Sequence, residues 1–142
     1  YLVDGHRPMP ELFDVLLTRF EFQVKQLNLI YKILNEQQWN QFQASSLFEG
    51  SPIDIQDGFI HFSGGPQVAQ TANKHFANQT DLYLLTVDGD HCGPNLRWEV
   101  SRGGDLFPHL YGKLALSQVI SWRPFRQDKD GLFQFSEQPA AE

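Results

Sequence analysis

Three short stretches of the chain concentrate side chains able to do chemistry. The first is Asp57-Gly58-Phe59-Ile60-His61-Phe62-Ser63. Read as a strand, it places Phe59, His61 and Ser63 on one face, because side chains alternate along an extended chain. An imidazole and a hydroxyl side by side can donate to or accept from a ligand. They can equally satisfy each other inside a core. The second is Leu96-Arg97-Trp98-Glu99-Val100-Ser101-Arg102-Gly103-Gly104. Alternation sets Arg97 and Glu99 on one face and Leu96, Trp98 and Val100 on the other. The glycine pair permits close backbone approach to a ligand. A surface ion pair beside a turn fits the same letters. The third is Phe107-Pro108-His109-Leu110-Tyr111-Gly112, where aromatic rings, an imidazole and a phenol crowd together. Such a group can stack on a flat ring and hydrogen-bond its edge, or it can close a small core.

The remaining polar residues point to less. His75 falls in an expected helix, and His6 and His91 fall in loops. No His-x-x-x-His pair or His–carboxylate cluster suggests a metal site. Asp54 and Asp57 read as turn formers. No nucleophile elbow supports a serine hydrolase. A two-histidine phosphoesterase would need a second His-x-Ser or His-x-Thr, which His109-Leu110-Tyr111 does not supply. With neither G-x-G-x-x-G nor a Walker sequence, a Rossmann or P-loop nucleotide fold is not expected.

The elements that must position these residues follow from pattern and caps. Glu11 to Leu27 reads as an amphipathic helix, with Leu12, Leu16, Phe20 and Val24 at every fourth position. Leu29 to Leu34 reads as the first strand. Asn35 would cap a helix running to about Ala44, with Trp39 and Phe42 on its buried side. Phe48 to Gly58 reads as a loop, Phe59 to Ser63 as a strand and Gln67 to Ala77 as a helix. Leu82 to Val87 is an apolar run suited to a strand buried on both faces. Leu96 to Val100 reads as a strand and Ser101 to Pro108 as a glycine-rich loop. Val119 to Trp122 and Leu132 to Phe135 read as closing strands joined through Lys129-Asp130-Gly131. The sum is an α+β domain over 29–136, preceded by an arm and helix at 1–28 and followed by a flexible tail at 137–142.

Composition bounds the function. The 142 residues include 12 Phe and are 41% hydrophobic, enough for a buried core. A formal net charge of −6 disfavours extended nucleic-acid binding. No apolar stretch is long enough to span a membrane. The single cysteine, Cys92, rules out an internal disulfide, and the chain reads as cytoplasmic. Asn78-Gln79-Thr80 matches a glycosylation triplet that matters only in a secreted chain. Helix 11–27 offers a face to a possible protein partner.

The three chemical segments occur in order with Ile30-Tyr31-Lys32-Ile33, Trp39, Gly50-Ser51-Pro52, Thr71, His75-Phe76 and the strand Leu82–Val87. From Leu29 to Pro124 this series resembles the bacterial domain of unknown function 952. The resemblance implies an ADP-ribosyltransferase-like fold, close to the RNA 2′-phosphotransferase branch, with mixed or antiparallel sheets and a few flanking helices. Enzymes of that superfamily cleave NAD at the nicotinamide–ribose bond and pass ADP-ribose to an acceptor. Carried over, the resemblance makes His61, Glu99 and Tyr111 the catalytic candidates. Tyr31, Ser63, Arg97, Arg102 and His109 become the candidate contacts to NAD, the expected co-substrate. No metal is implied. The chain lacks a Glu-x-Glu pair, which argues against arginine-directed modification of proteins. A non-catalytic nucleotide-binding or protein-interaction module of the same fold is the alternative.

Overall fold

The computed structural model describes residues 28–136. The expected helix at 11–27 and the tail at 137–142 lie outside them. The described chain is α+β, with three antiparallel sheets and few helices.

Strand β1 (Leu29–Asn35) and strand β4 (Leu82–Asp88) pair from Leu29↔Asp88 to Asn35↔Leu82. Strand β8 (Val119–Phe125) completes this sheet in the order β1-β4-β8. Both faces of β1 and β4 are covered, while β8 is largely exposed. Ile30, Leu34, Leu85 and Val87 enter one core cluster with Trp39, Phe42, Ile60 and Leu110. Tyr31, Ile33, Leu82 and Leu84 enter a second with Val68, Ala72, Phe125 and Phe133. This two-sided burial explains why β4 is an unbroken apolar run. Lys32 is the exception on β1, a cation on the face of Ile30 and Leu34 and itself buried.

Helix α1 (Glu36–Ser45) starts where expected. The Asn35 side chain accepts from the Gln38 amide at 2.8 Å, and the Gln38 side chain accepts from the Asn35 amide at 3.0 Å. This reciprocal capping satisfies two amides that a helix start leaves unpaired. Trp39 and Phe42 are its buried residues. A two-residue ribbon joins β2 (Leu47–Phe48) to β7 (Leu114–Ala115).

The segment expected as a loop from Phe48 to Gly58 contains helix α2 (Pro52–Asp57). Pro52 occupies the first turn, where its missing N–H costs nothing. The Ser51 amide donates to Asp54 Oδ2 at 2.8 Å. Gly58 ends the helix at φ 89°, a left-handed conformation suited to glycine. The strand expected at Phe59–Ser63 is shorter, with β3 covering Ile60–His61 and Ser63 forming a separate bridge to Tyr31. A 3-10 turn at Gly65–Gln67 leads into α3 (Val68–His75), which lies within the expected 67–77 helix.

Strand β5 (Leu96–Val100) is where the alternation placed it. The glycine-rich loop is shorter than expected, because β6 (Leu106–Leu110) begins inside it and runs through Pro108. These strands form a second sheet in the order β3-β6-β5. Leu132–Phe135 is not a strand. Its one ladder contact is the bridge Gln127↔Phe133, closed by a turn in which the Asp128 amide donates to the Leu132 carbonyl at 2.7 Å. No helix among the described residues is long and apolar enough to cross a membrane.

Candidate functional site

Register brings the three chemical segments together. His61 on β3 stands directly opposite His109 on β6, and His109 stands opposite Arg97 on β5. Directly paired residues share a face, and so do residues two apart. One face of this sheet therefore carries His61, His109, Arg97, Glu99 and Phe107. Phe59 and Tyr111 extend it at one end, their rings 5.2 Å apart.

The rings pack tightly on this face. Phe59 stacks on His109 with centroids 4.1 Å apart and an interplanar angle of 26°, and it lies 4.6 Å from the His61 ring. His109 is buried beneath it. Glu99 Oε1 receives two bonds, from the Tyr111 hydroxyl at 2.7 Å and from His109 Nδ1 at 2.7 Å. The bond from His109, then that from Tyr111, holds the Glu99 carboxyl below its ordinary range. The same bond pushes the Tyr111 phenol up, so it stays protonated at neutral pH. The exposed Arg97 guanidinium lies 5.2 Å over the Tyr111 ring, a cation–π contact.

His61 is held from below. Its Nδ1 is 2.6 Å from Asp54 Oδ1 and its Nε2 is 3.0 Å from Asp57 Oδ2. Asp54 is 1% exposed and accepts three further bonds. These come from the Lys32 ammonium at 2.9 Å, the Ser51 amide at 2.8 Å and the His61 amide at 3.1 Å. Burial alone pushes Asp54 up. The His61 bond, the Lys32 charge and the Ser51 amide together outweigh it and hold the carboxyl well below the usual range. Burial also pulls the Lys32 ammonium down, against Asp54, which raises it. Lys32 donates a second bond to the His61 carbonyl at 2.8 Å.

Of the residues singled out in the sequence, His61, His109, Arg97, Glu99 and Tyr111 share this face. Tyr31 and Ser63 do not join it through their side chains. Tyr31 packs in the second core cluster, edge-on to Phe135 at 4.9 Å. The Ser63 hydroxyl donates to Thr71 on α3 at 3.2 Å. Arg102 begins the 3-10 turn Arg102–Gly104 that follows β5. Sequence reasoning named none of Lys32, Asp54, Asp57 or Phe59 as a site residue. A single cation inside the apolar strand Leu29–Leu34 was the available signal for Lys32. Ser51-Pro52 three positions ahead of Asp54 was the signal for a helix start. Among the described residues, no three His, Cys, Asp or Glu side chains group as a metal ion would need.

The family described as Protein of unknown function (DUF952) matches residues 33–122. The chain belongs to this family. The match includes every residue of the face and both aspartates, while Lys32 lies one position ahead of it. The X-ray structure of protein CC0527 from Caulobacter crescentus is 47% identical to this DUF952 chain. It covers 75% of this chain and 93% of its own, with a TM-score of 0.72. The solution NMR structure of CC0527 is 45% identical over 81% of this chain and 99% of its own, with a TM-score of 0.71. No curated protein matches the chain.

Proposed function

We propose that the His61–His109–Arg97 face is a nucleotide pocket. In this reading it serves NAD cleavage or ADP-ribosyl transfer within an ADP-ribosyltransferase-like fold. One observation carries the reading: two imidazoles, a carboxylate and a guanidinium from three strands converge with two flanking aromatic rings on one partly exposed sheet face. These groups suit the parts of NAD. Phe59 and Tyr111 offer ring surface to a flat base. Arg97 offers a planar fork of donors to pyrophosphate. His61 and His109 are the polar contacts for a ribose. NAD would bring a scissile nicotinamide–ribose bond whose cleavage develops positive charge on the sugar. Glu99, kept ionised by His109 and Tyr111, is the carboxylate to face that charge.

A second reading is a non-catalytic nucleotide-binding module. It is favoured by the engagement of both His61 ring nitrogens and by the two bonds Glu99 already accepts. Either reading fits a cytoplasmic protein acting on a small molecule. Partner docking through residues 11–27 would be separate, and would appear as an assembly lost on deleting them.

The test is an NMR titration of NAD into the labelled chain, with nicotinamide release followed in parallel. Saturable amide shifts confined to 57–63 and 97–111, with release abolished by Glu99→Gln, support the enzyme. The same shifts without release support the module. No shifts at millimolar NAD end the nucleotide reading.

A further inference from the structure

We propose that Asp54 is the positioning residue of His61: anchored by Lys32, it takes the proton-bearing Nδ1 and turns Nε2 outward as the working nitrogen, which Asp57 covers. The argument begins with what Asp54 can do. An ionised carboxylate only accepts hydrogen bonds. Its Oδ1 lies 2.6 Å from Nδ1, so that ring nitrogen must carry a proton. An imidazole free in water prefers its proton on the other nitrogen. The partner of one nitrogen sets the state of the other, and here a buried carboxylate reverses the preference.

Asp54 is well fixed for this task. Lys32 and the Ser51 amide hold Oδ2, and the His61 amide shares Oδ1 with the ring. Lys32 also holds the His61 carbonyl. The backbone and the ring of His61 therefore hang on the same buried ion pair, which joins β1, α2 and β3.

Nε2 has the opposite setting. Its partner Asp57 is 37% exposed and closes the last turn of α2, just before Gly58. A carboxylate bonds Nε2 only while the ring carries both protons. On a neutral ring, Nε2 presents a lone pair, and Asp57 has open solvent into which to turn. The titratable and charged groups around the ring are Asp54 and Asp57 on α2, Lys32 on β1, His109 on β6, and beyond it Glu99 and Arg97 on β5. Once Asp57 is released, Nε2 can accept from a ligand hydroxyl beside Phe59. In the nucleotide reading that is a ribose hydroxyl, and this part alone rests on that reading.

Long-range proton–nitrogen NMR of the 15N-labelled full chain, at a pH where the His61 ring is neutral, tests the proposal. The expected result is a protonated Nδ1 and an unprotonated Nε2. A proton on Nε2 overturns it. Asp54→Asn should shift the tautomer toward Nε2–H, and a folded variant with an unchanged ring overturns it. Asp57→Asn, on the open side, should leave the proton on Nδ1, and a switch there would transfer the role to Asp57. If the tautomer is as expected but NAD produces no shifts, the ribose partner falls and the positioning role stands.

Discussion

His61 and His109 face each other across the β3–β6 ladder with ring centroids 5.6 Å apart and planes at 71°. They differ in what holds them. His61 is tied to the buried Lys32–Asp54 pair through α2, and His109 is tied to Glu99 on β5. Phe59 touches both rings. The pair thus joins an internal ion pair to a partly exposed carboxylate–phenol group.

Removing His109 should disturb the exposed half of this arrangement and spare the buried half. His109→Ala takes one donor from Glu99 and leaves a space beneath Phe59. A lost hydrogen bond with a void beside it predicts a cost of about 2–4 kcal/mol. Urea unfolding would measure it. The His61 ring signals should keep the same tautomer, because Asp54 is untouched.

Lys32 should matter more than its place in an apolar strand suggests. Lys32→Met keeps the apolar stem and leaves Asp54 ionised, buried and short of its cation. Breaking a buried pair from one side costs about 3–5 kcal/mol. Asp54→Asn should be at least as harmful. Four donors converge on the carboxylate, and an amide supplies one accepting oxygen for them. A Lys32→Met variant as stable as the parent would show that the ion pair contributes nothing net.

Much of this fold is legible in the sequence, and the reasons for the gaps are physical. β1, α1, β4 and β5 carry an apolar run, a cap or an alternation that is local to them. Helix α2 is six residues long, too short to show helical periodicity, so its Asp and Pro look like loop residues. β6 was hidden by Pro108, which cannot donate to a ladder and argues against a central strand. The individual chemistry of His61, Arg97, Glu99, His109 and Tyr111 was visible, but their meeting depends on strand register, which no single segment encodes. Asp54 was missed for a related reason. A turn-forming aspartate and a buried acceptor are the same letter, and only Lys32, 22 residues away, separates them.

Acid should destabilise the protein through Asp54. Its folded value is held below the ordinary carboxylate value, which is about 3.9 in an unfolded chain. Above that value both states are ionised and the full stabilisation is present. As pH falls below it, the unfolded chain takes up the proton first, so stability declines until the folded carboxyl also protonates. Glu99 has the same sign but is partly exposed, so salt should screen its share. Urea unfolding at stepped acid pH, with and without about 1 M salt, separates the two. A slope that salt erases completely would remove Asp54 as the source.

Two glycines should respond to alanine for different reasons, and the contrast checks how the site is framed. Gly58 has φ 89° with no atom within 4 Å of an added Cβ. Gly58→Ala therefore meets only the left-handed backbone penalty, about 1–2 kcal/mol. That penalty acts at the turn between Asp57 and Phe59, so the amide signals of 57–61 should move with it. Gly89 follows β4, where its amide donates to the Asn28 carbonyl at 2.9 Å. An added Cβ there would stand 2.6 Å from that carbonyl oxygen, a backbone atom that cannot step aside without opening the start of the β1–β4 pairing. Gly89→Ala should thus be the more damaging variant, with its shifts centred on residues 28–30 and 87–90. Equal losses of stability in urea would mean that the Asn28 carbonyl yields freely, and that the close approach of Gly89 to Asn28 does not anchor the first strand.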